Sequence, residues 1–397
     1  MNKLNQIIAA SLIAISLNSF AGDCPALSGV YTIGKNEGSD FSSVSEAISA
    51  AQCGGVAGPV TFRLESGNYN ERVVMSSIPG ASAFNNITIE SKTGINTDAV
   101  ISYATSDATF VINGANYVNF ENISINHRAA TYGNAVRVDG KASSIHFHGV
   151  VFDGVDVART GANSATIYFV SNAPKTDISF DNCEINNGSM GIVKGGVNAN
   201  MQDTKTSITG TLFFNQFEAA LALSNENAPA INNNVISSLS NFSNYKGISL
   251  SNLSGPSVIN TNVITMASGS TGIEMHDCVA QPTQLGQVTG NSIAVGGKDE
   301  ANGIALTGST DNQVLNFNRV KLSNGGETFK QAYYRNSGTG NNVNMMNNIF
   351  YDFSSGGYTI VGNSYKDMFN QLPAQSNPGM NVAANGIMIE KATPVAN

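Results

Sequence analysis

Four histidines occur in the chain, and two fall where strand alternation would set them beside acids. Aligning Phe120, Phe147 and Phe180 as inward residues places Glu121, His148 and Asp181 outward on successive segments. Asn119, His146 and Ser179 form a parallel outward row, with Asp153 and Asp156 on the following turn. A histidine between carboxylates gains basicity and suits general-base work, and such carboxylates also suit a hard cation such as Ca2+. Glu121, His148 and Asp181 are therefore the candidate catalytic residues, with His146 and Asp156 as candidate substrate ligands. One strand further along, a second outward row runs through Arg137, Tyr168, Val193, Ser249 and Glu274. There Tyr168 could stack on a sugar ring while the Arg137 fork receives a charged substituent. The plainer expectation is that both rows are solvated strand faces with alternating charge. His127 and His276 stand in or near turns without evident partners. No phosphate loop, zinc spacing or Ser-His-Asp arrangement is visible, so the metal ligands stay open.

The rows depend on a repeat. A short motif recurs as Asn134-Ala-Val-Arg-Val138, Ala165-Thr-Ile-Tyr-Phe169, Met190-Gly-Ile-Val, Ala219-Ala-Leu-Ala-Leu223 and Lys246-Gly-Ile-Ser-Leu250. Thr271-Gly-Ile-Glu-Met275, Asn302-Gly-Ile-Ala-Leu306, Gln331-Ala-Tyr-Tyr and Gly357-Tyr-Thr-Ile-Val361 continue it, about 25 to 31 residues apart. Between the copies lies a second alternating motif, seen in Ile231 to Ile236, Ile259 to Ile264, Val288 to Ile293, Leu315 to Val320 and Met345 to Phe350. At least two short strands per unit, parted by Gly, Asn and Ser turns, predict an all-β, single-stranded right-handed parallel β-helix (a β-solenoid) of about 9–12 coils. A leucine-rich repeat would show a helix in each unit, and none is apparent. Equivalent residues then stack: Asn215, Asn234, Asn262, Asn291, Asn318 and Asn348 are expected to form an internal ladder, with Ile123, Val150 and Cys183 in the same place in earlier coils.

A solenoid must cover its apolar ends. Phe41, Val44, Ala47, Ile48 and Ala51 recur at helical spacing after Ser42 and Ser43, which predicts a short N-terminal capping helix. Strand-like segments follow at Val60 to Leu64, Arg72 to Met75, Ile87 to Glu90 and Phe110 to Ile112. The expected divisions are a signal peptide at 1–21, the cap and first irregular coils at 22–85, the β-helix at 86–363 and a C-terminal cap and tail at 364–397. Tyr365, Met368, Phe369 and Leu372 are the residues expected to cover the last coil.

Lys3, the apolar run Ile7 to Leu17 and the small residues Ser19 and Ala21 have the form of a secretory signal cleaved after Ala21. Secretion to the periplasm or the extracellular space is expected, with no integral membrane segment. Lipidation at Cys24 is disfavoured by Asp23 before it. A net charge of −8 repels polyanions, which argues against nucleic acid as a partner. Export permits disulfides; Cys24 and Cys53 flank the N-terminal segment and are expected to pair, whereas Cys183 and Cys278 lie several coils apart and are expected to be free.

Asp40-Phe-Ser-Ser-Val-Ser-Glu-Ala-Ile48 with Ser66-Gly-Asn-Tyr-Asn-Glu71, the Gly-Ile-x-Leu strand and the asparagine ladder together resemble the pectin lyase-like superfamily over nearly the whole mature chain. The resemblance implies the fold; activity varies across lyases, hydrolases, esterases, epimerases, phage tailspikes and adhesive proteins. Phe120-Glu-Asn-Ile-Ser-Ile125, Asn134-Ala-Val136 and Phe152-Asp-Gly-Val-Asp156 are similar to a methylesterase series, but Asn134 and Val155 replace its glutamines and the chain has no tryptophan for its later motif. The polygalacturonase series is missing and no pectate lyase calcium set is identified. The expectation is a non-catalytic protein that binds polysaccharide or a cell-surface glycan; the alternative is a polysaccharide lyase, glycoside hydrolase or carbohydrate esterase using an outward face. Oligomeric state is left open.

Overall fold

The computed structural model describes residues 24–105, 107–297, 301–322, 330–336, 342–352, 382–384 and 387–391. The signal-like segment, the Gly357 motif copy and Tyr365, Met368, Phe369 and Leu372 lie outside them. The described chain winds into a parallel β-solenoid of about 11 turns. Each full coil gives one strand to each of three sheets. The first sheet runs from Leu27–Ile33 through Ala142–His148 to Val343–Met346, the second from Gly67–Asn70 through Val151–Asp153 to Ile349–Asp352, and the third from Val73–Ser76 through Ile167–Phe169 to Lys330–Asn336. Strand pairing between coils is parallel; the exception in the named sheets is the hairpin of Val382–Ala384 with Ile387–Lys391.

Alternation within the strands fills the interior. Phe120, Phe147 and Phe180 are fully buried, and their rings stack 4.8 and 4.9 Å apart. The recurrent Gly of the Gly-Ile motif has a steric cause. A Cβ on Gly272 would come within 2.7 Å of the Gly303 carbonyl oxygen in the next coil, a contact that only backbone movement could relieve.

The turn from first to second sheet opens on a left-handed residue in coil after coil, among them Asn122, Asn182, Asn233 and Asn347, which explains the asparagines there. The next residue points inward and forms the ladder. Asn262 shows the pattern: its backbone N–H and its Nδ2 both donate to Asn291 Oδ1, at 3.0 and 2.9 Å, and Nδ2 also donates to the Ile231 carbonyl at 2.9 Å. Asn234, Asn291, Asn318 and Asn348 join it, all buried. Asn215 does not. Thr211 holds that position, its backbone N–H donating to Asn234 Oδ1 at 2.9 Å, while Asn215 lies at the next corner and donates to Asn187 Oδ1. The two corners share a preference for asparagine, and the expected ladder took the wrong one in this coil. Ile123, Val150 and Cys183 are buried as expected.

The helix α1 (Val44–Gly54) buries Val44, Ala47, Ile48 and Ala51, and Ser43 is its N-cap, accepting from the Glu46 N–H at 3.1 Å. Phe41 precedes the helix and bridges to Ile33. Glu71 explains the Gly-x-Tyr-x-Glu turn: its carboxylate accepts from the Val44 and Ser45 N–H groups, each at 2.9 Å, where the helix dipole favours negative charge. Tyr69 Oη lies 2.8 Å from both the Ile33 and Glu65 carbonyls, and burial pushes its pKa up to about 12. Cys24 and Cys53 form a disulfide that ties the first described residues to this helix. Cys183 and Cys278 are free and buried, and burial pushes both thiols up to about 12.

Candidate functional site

The first-sheet register sets Glu121, His148 and Asp181 side by side on consecutive strands. His148 Nδ1 lies 2.7 Å from Asp181 Oδ2, with both side chains about half exposed. An acid at Nδ1 fixes the tautomer that leaves Nε2 free to accept a proton. In the parallel row His146 Nδ1 is 2.7 Å from Ser179 Oγ, and its Nε2 is 3.6 Å from Asp177 Oδ2. These residues share one pleated outer face.

The second row lies on the third sheet. Arg137 stands opposite Tyr168, its guanidinium carbon 6.0 Å from the ring centroid, and the row continues through Val193, Ala222, Ser249 and Glu274. The Arg137 fork is engaged by Asp139 at 3.1 Å and Asp107 at 3.3 Å, so an incoming carboxylate would have to displace a partner. Glu274 pairs with Lys246. Asp156 is exposed on the loop after Val151–Asp153. The candidates thus divide between two sheets and do not converge on one site.

Two histidines differ from expectation. His127 is 2 % exposed, with Nδ1 at 3.1 Å from Thr109 Oγ1 and Nε2 at 3.1 Å from the Tyr132 carbonyl. Only a protonated Nε2 can meet that carbonyl, and burial lowers the pKa, so His127 is a structural neutral imidazole. Its place at the end of Ser124–His127 resembled a turn in sequence, but the neighbouring coil encloses it. His276 is exposed yet partnered, with Nδ1 at 2.9 Å from Thr307 Oγ1 and Nε2 at 3.1 Å from Asp277. Among the described residues no three His, Cys, Asp or Glu side chains gather as a metal site.

A groove of about 510 Å3 opens elsewhere, on the outer face of the second sheet. Asn126, Asp153, Asn186, Phe214 and Ser237 line it in strict strand register, one per coil, with Val100 at one end and Leu239 at the other. It therefore runs along the solenoid axis across six strands, roughly 24 Å at about 4.8 Å per strand. Phe214 and Leu239 are 54 % and 78 % exposed. At the corner, Asn215 Nδ2 donates to Asn187 Oδ1 at 2.8 Å, and Asn187 Nδ2 donates to Asp153 Oδ1 at 2.7 Å. Asp153 also pairs with Arg128 at 3.1 Å, which offsets its charge. The sequence signal for this face is Leu212-Phe213-Phe214: alternation in a run of three apolar residues leaves at least one of them outside, and here Leu212 and Phe214 face out while Phe213 is buried.

No protein family's sequence profile matches the chain, and no curated protein matches it. Solved structures do. The PfbA surface adhesin of Streptococcus pneumoniae is 13 % identical, with 87 % of this chain and 94 % of that one covered at a TM-score of 0.48. A pectate lyase is 11 % identical, with 85 % and 82 % covered at 0.46. The pectin methylesterase of Aspergillus niger is 14 % identical, with 86 % and 91 % covered at 0.36. By its own strand pairing the chain is a parallel β-solenoid. At these identities the likeness is one of fold alone.

Proposed function

We propose that this protein is exported and binds a polysaccharide, without turning it over, along the groove of the second sheet. The observation that supports this reading most is the composition of the groove: an exposed aromatic face at Phe214 among amides and hydroxyls repeated one per coil. A glycan offers apolar C–H faces and hydroxyls that donate and accept, and those are the partners that an aromatic ring and side-chain amides serve. A groove parallel to the solenoid axis suits an extended chain. Asp153, tied to Arg128 and Asn187, leaves little free charge in the lining, which favours a neutral glycan. The Cys24–Cys53 disulfide suits an oxidising compartment and supports export.

Affinity electrophoresis of the mature protein against neutral and acidic polysaccharides tests the reading. Retardation by a neutral glycan, weakened about tenfold in Phe214→Ala, is expected. The same mixtures are assayed for reducing ends, unsaturated uronates and released ester groups, with and without calcium. The catalytic alternative is favoured by one contact, the 2.7 Å hydrogen bond between His148 and Asp181. Products that vanish in His148→Ala and persist in Phe214→Ala would replace the binding reading with that one.

A further inference from the structure

Three ionisable side chains meet inside the solenoid, away from both outward rows and the groove. Lys194 is the penultimate residue of the third-sheet strand Met190–Gly195, Asp203 opens the first-sheet strand Asp203–Thr209, and Glu226 stands opposite Asp203 in the next coil. All three side chains have no exposure. Lys194 Nζ donates to Asp203 Oδ2 at 2.7 Å and to Glu226 Oε1 at 2.8 Å, with the Phe169 ring 5.8 Å away. The other Asp203 oxygen, Oδ1, accepts from the Lys175 backbone N–H at 2.7 Å. Burying charges this deeply costs several kcal/mol per ion before pairing, and replacing such a set by apolar residues is often stabilising, so its presence calls for a role.

We propose that Lys194 and Asp203 condense to an intramolecular isopeptide bond, with Glu226 as the proton relay. A proton moves along the 2.7 Å hydrogen bond, turning the ion pair into an amine and a carboxylic acid, the forms a low-polarity site favours. The Nζ lone pair then forms a bond to Asp203 Cγ. As the adduct collapses, the Cγ–OH bond breaks, Glu226 takes a proton from Nζ and returns one to the departing hydroxyl, and water leaves. The product is one amide and one water; nothing is oxidised or reduced, and Glu226 ends as it began.

Each requirement has a residue. Nucleophile and electrophile are held in contact by the fold, which supplies the high effective concentration that amide formation needs. The Lys175 N–H is placed to stabilise charge on Oδ1 as the tetrahedral adduct forms. Burial pushes the Glu226 pKa up, against the lowering effect of Lys194, so its carboxyl can hold the proton that the relay requires. Asp203 is favoured over Glu226 as the acyl partner because the Lys175 N–H activates its second oxygen. The bond would close the turn at 195–202 and replace two buried charges by a neutral amide.

Intact mass spectrometry of the purified mature chain, followed by a tryptic peptide map after denaturation, is the test. The expected mass is lower by one water than that of the disulfide-bonded sequence. The expected map contains residues 176–205 as a single peptide uncut after Lys194, lighter by one water than its sequence and closed into a loop between Lys194 and Asp203. Localisation is essential, because succinimide formation at Asp139-Gly140 or Asp153-Gly154 also loses one water. Full mass with normal cleavage after Lys194 overturns the proposal, and a branch from Lys194 to Glu226 overturns the choice of Asp203. Glu226→Gln, folded by circular dichroism, is expected to lose the looped 176–205 peptide; an undiminished loop would remove Glu226 from the mechanism. Should that variant not fold, the wild-type map still decides whether the bond exists.

Discussion

At the scale of single residues, the asparagines show how one side-chain type serves two purposes a few positions apart. Asn291 is buried and its amide joins three neighbours: Oδ1 accepts from the Asn262 N–H and Nδ2, while its own Nδ2 donates to the Ile259 carbonyl and to Asn318 Oδ1. Asn291→Ala strands buried polar groups on the two adjoining coils and is expected to cost about 3 kcal/mol, since each orphaned group costs roughly 1–3 kcal/mol. Asn215, in the corner outside the ladder, has a left-handed backbone and one exposed hydrogen bond to Asn187, and its replacement by alanine is expected to cost about 1 kcal/mol. Urea unfolding of the two variants checks the contrast, and equal losses would contradict the assignment of Thr211 to the ladder. His148 illustrates the limit of reasoning from one contact. Its hydrogen bond to Asp181 orients the ring, but the two sit half exposed on a strand face rather than in the groove.

At the scale of elements, α1 depends on a residue far from it in sequence. Its own Ser43 caps the Glu46 N–H, and Glu71 takes the Val44 and Ser45 N–H groups. Glu71→Ala leaves those two donors without the carboxylate and removes a charge from the positive helix end. A loss of about 2 kcal/mol is expected, given roughly 1.5–3 kcal/mol for hydrogen bonds to charged groups less what solvent restores. Amide exchange is the discriminating measurement: protection in 44–54 should fall while that of the central coils stays unchanged. A uniform loss would mean that helix and stack unfold as one unit. The strands need no such remote support, because each meets hydrogen-bonding neighbours in the coils above and below.

At the scale of the molecule, the stack is quasi-one-dimensional, and its start is where a covalent tie matters. Cys24 and Cys53 are 29 residues apart and join the first described residues to the end of the helix. For a closed loop of that size the chain-entropy estimate is about 3.6 kcal/mol. The double variant Cys24→Ser/Cys53→Ser is expected to unfold earlier in urea, with amide exchange rising first in the coils built from 27–64. If protection there is unchanged, the disulfide is not what holds that end. Circular dichroism of either form should be dominated by β-structure, since the described chain carries one α-helix of 11 residues.

Periodicity made the architecture legible from sequence. Apolar alternation, the Gly-Ile strand and the turn asparagines recur because each coil solves the same packing problem, so the fold, the register of Glu121, His148 and Asp181, and the Cys24–Cys53 pair could all be read from spacing. What spacing could not supply was depth and curvature. His127 looked like a turn residue until the neighbouring coil enclosed it, and Asn215 was indistinguishable from a ladder residue because both corners favour asparagine. The second-sheet groove and the Lys194, Asp203 and Glu226 cluster depend on which corners widen and which side chains turn inward. Those are properties of stacked coils, and no single repeat contains them.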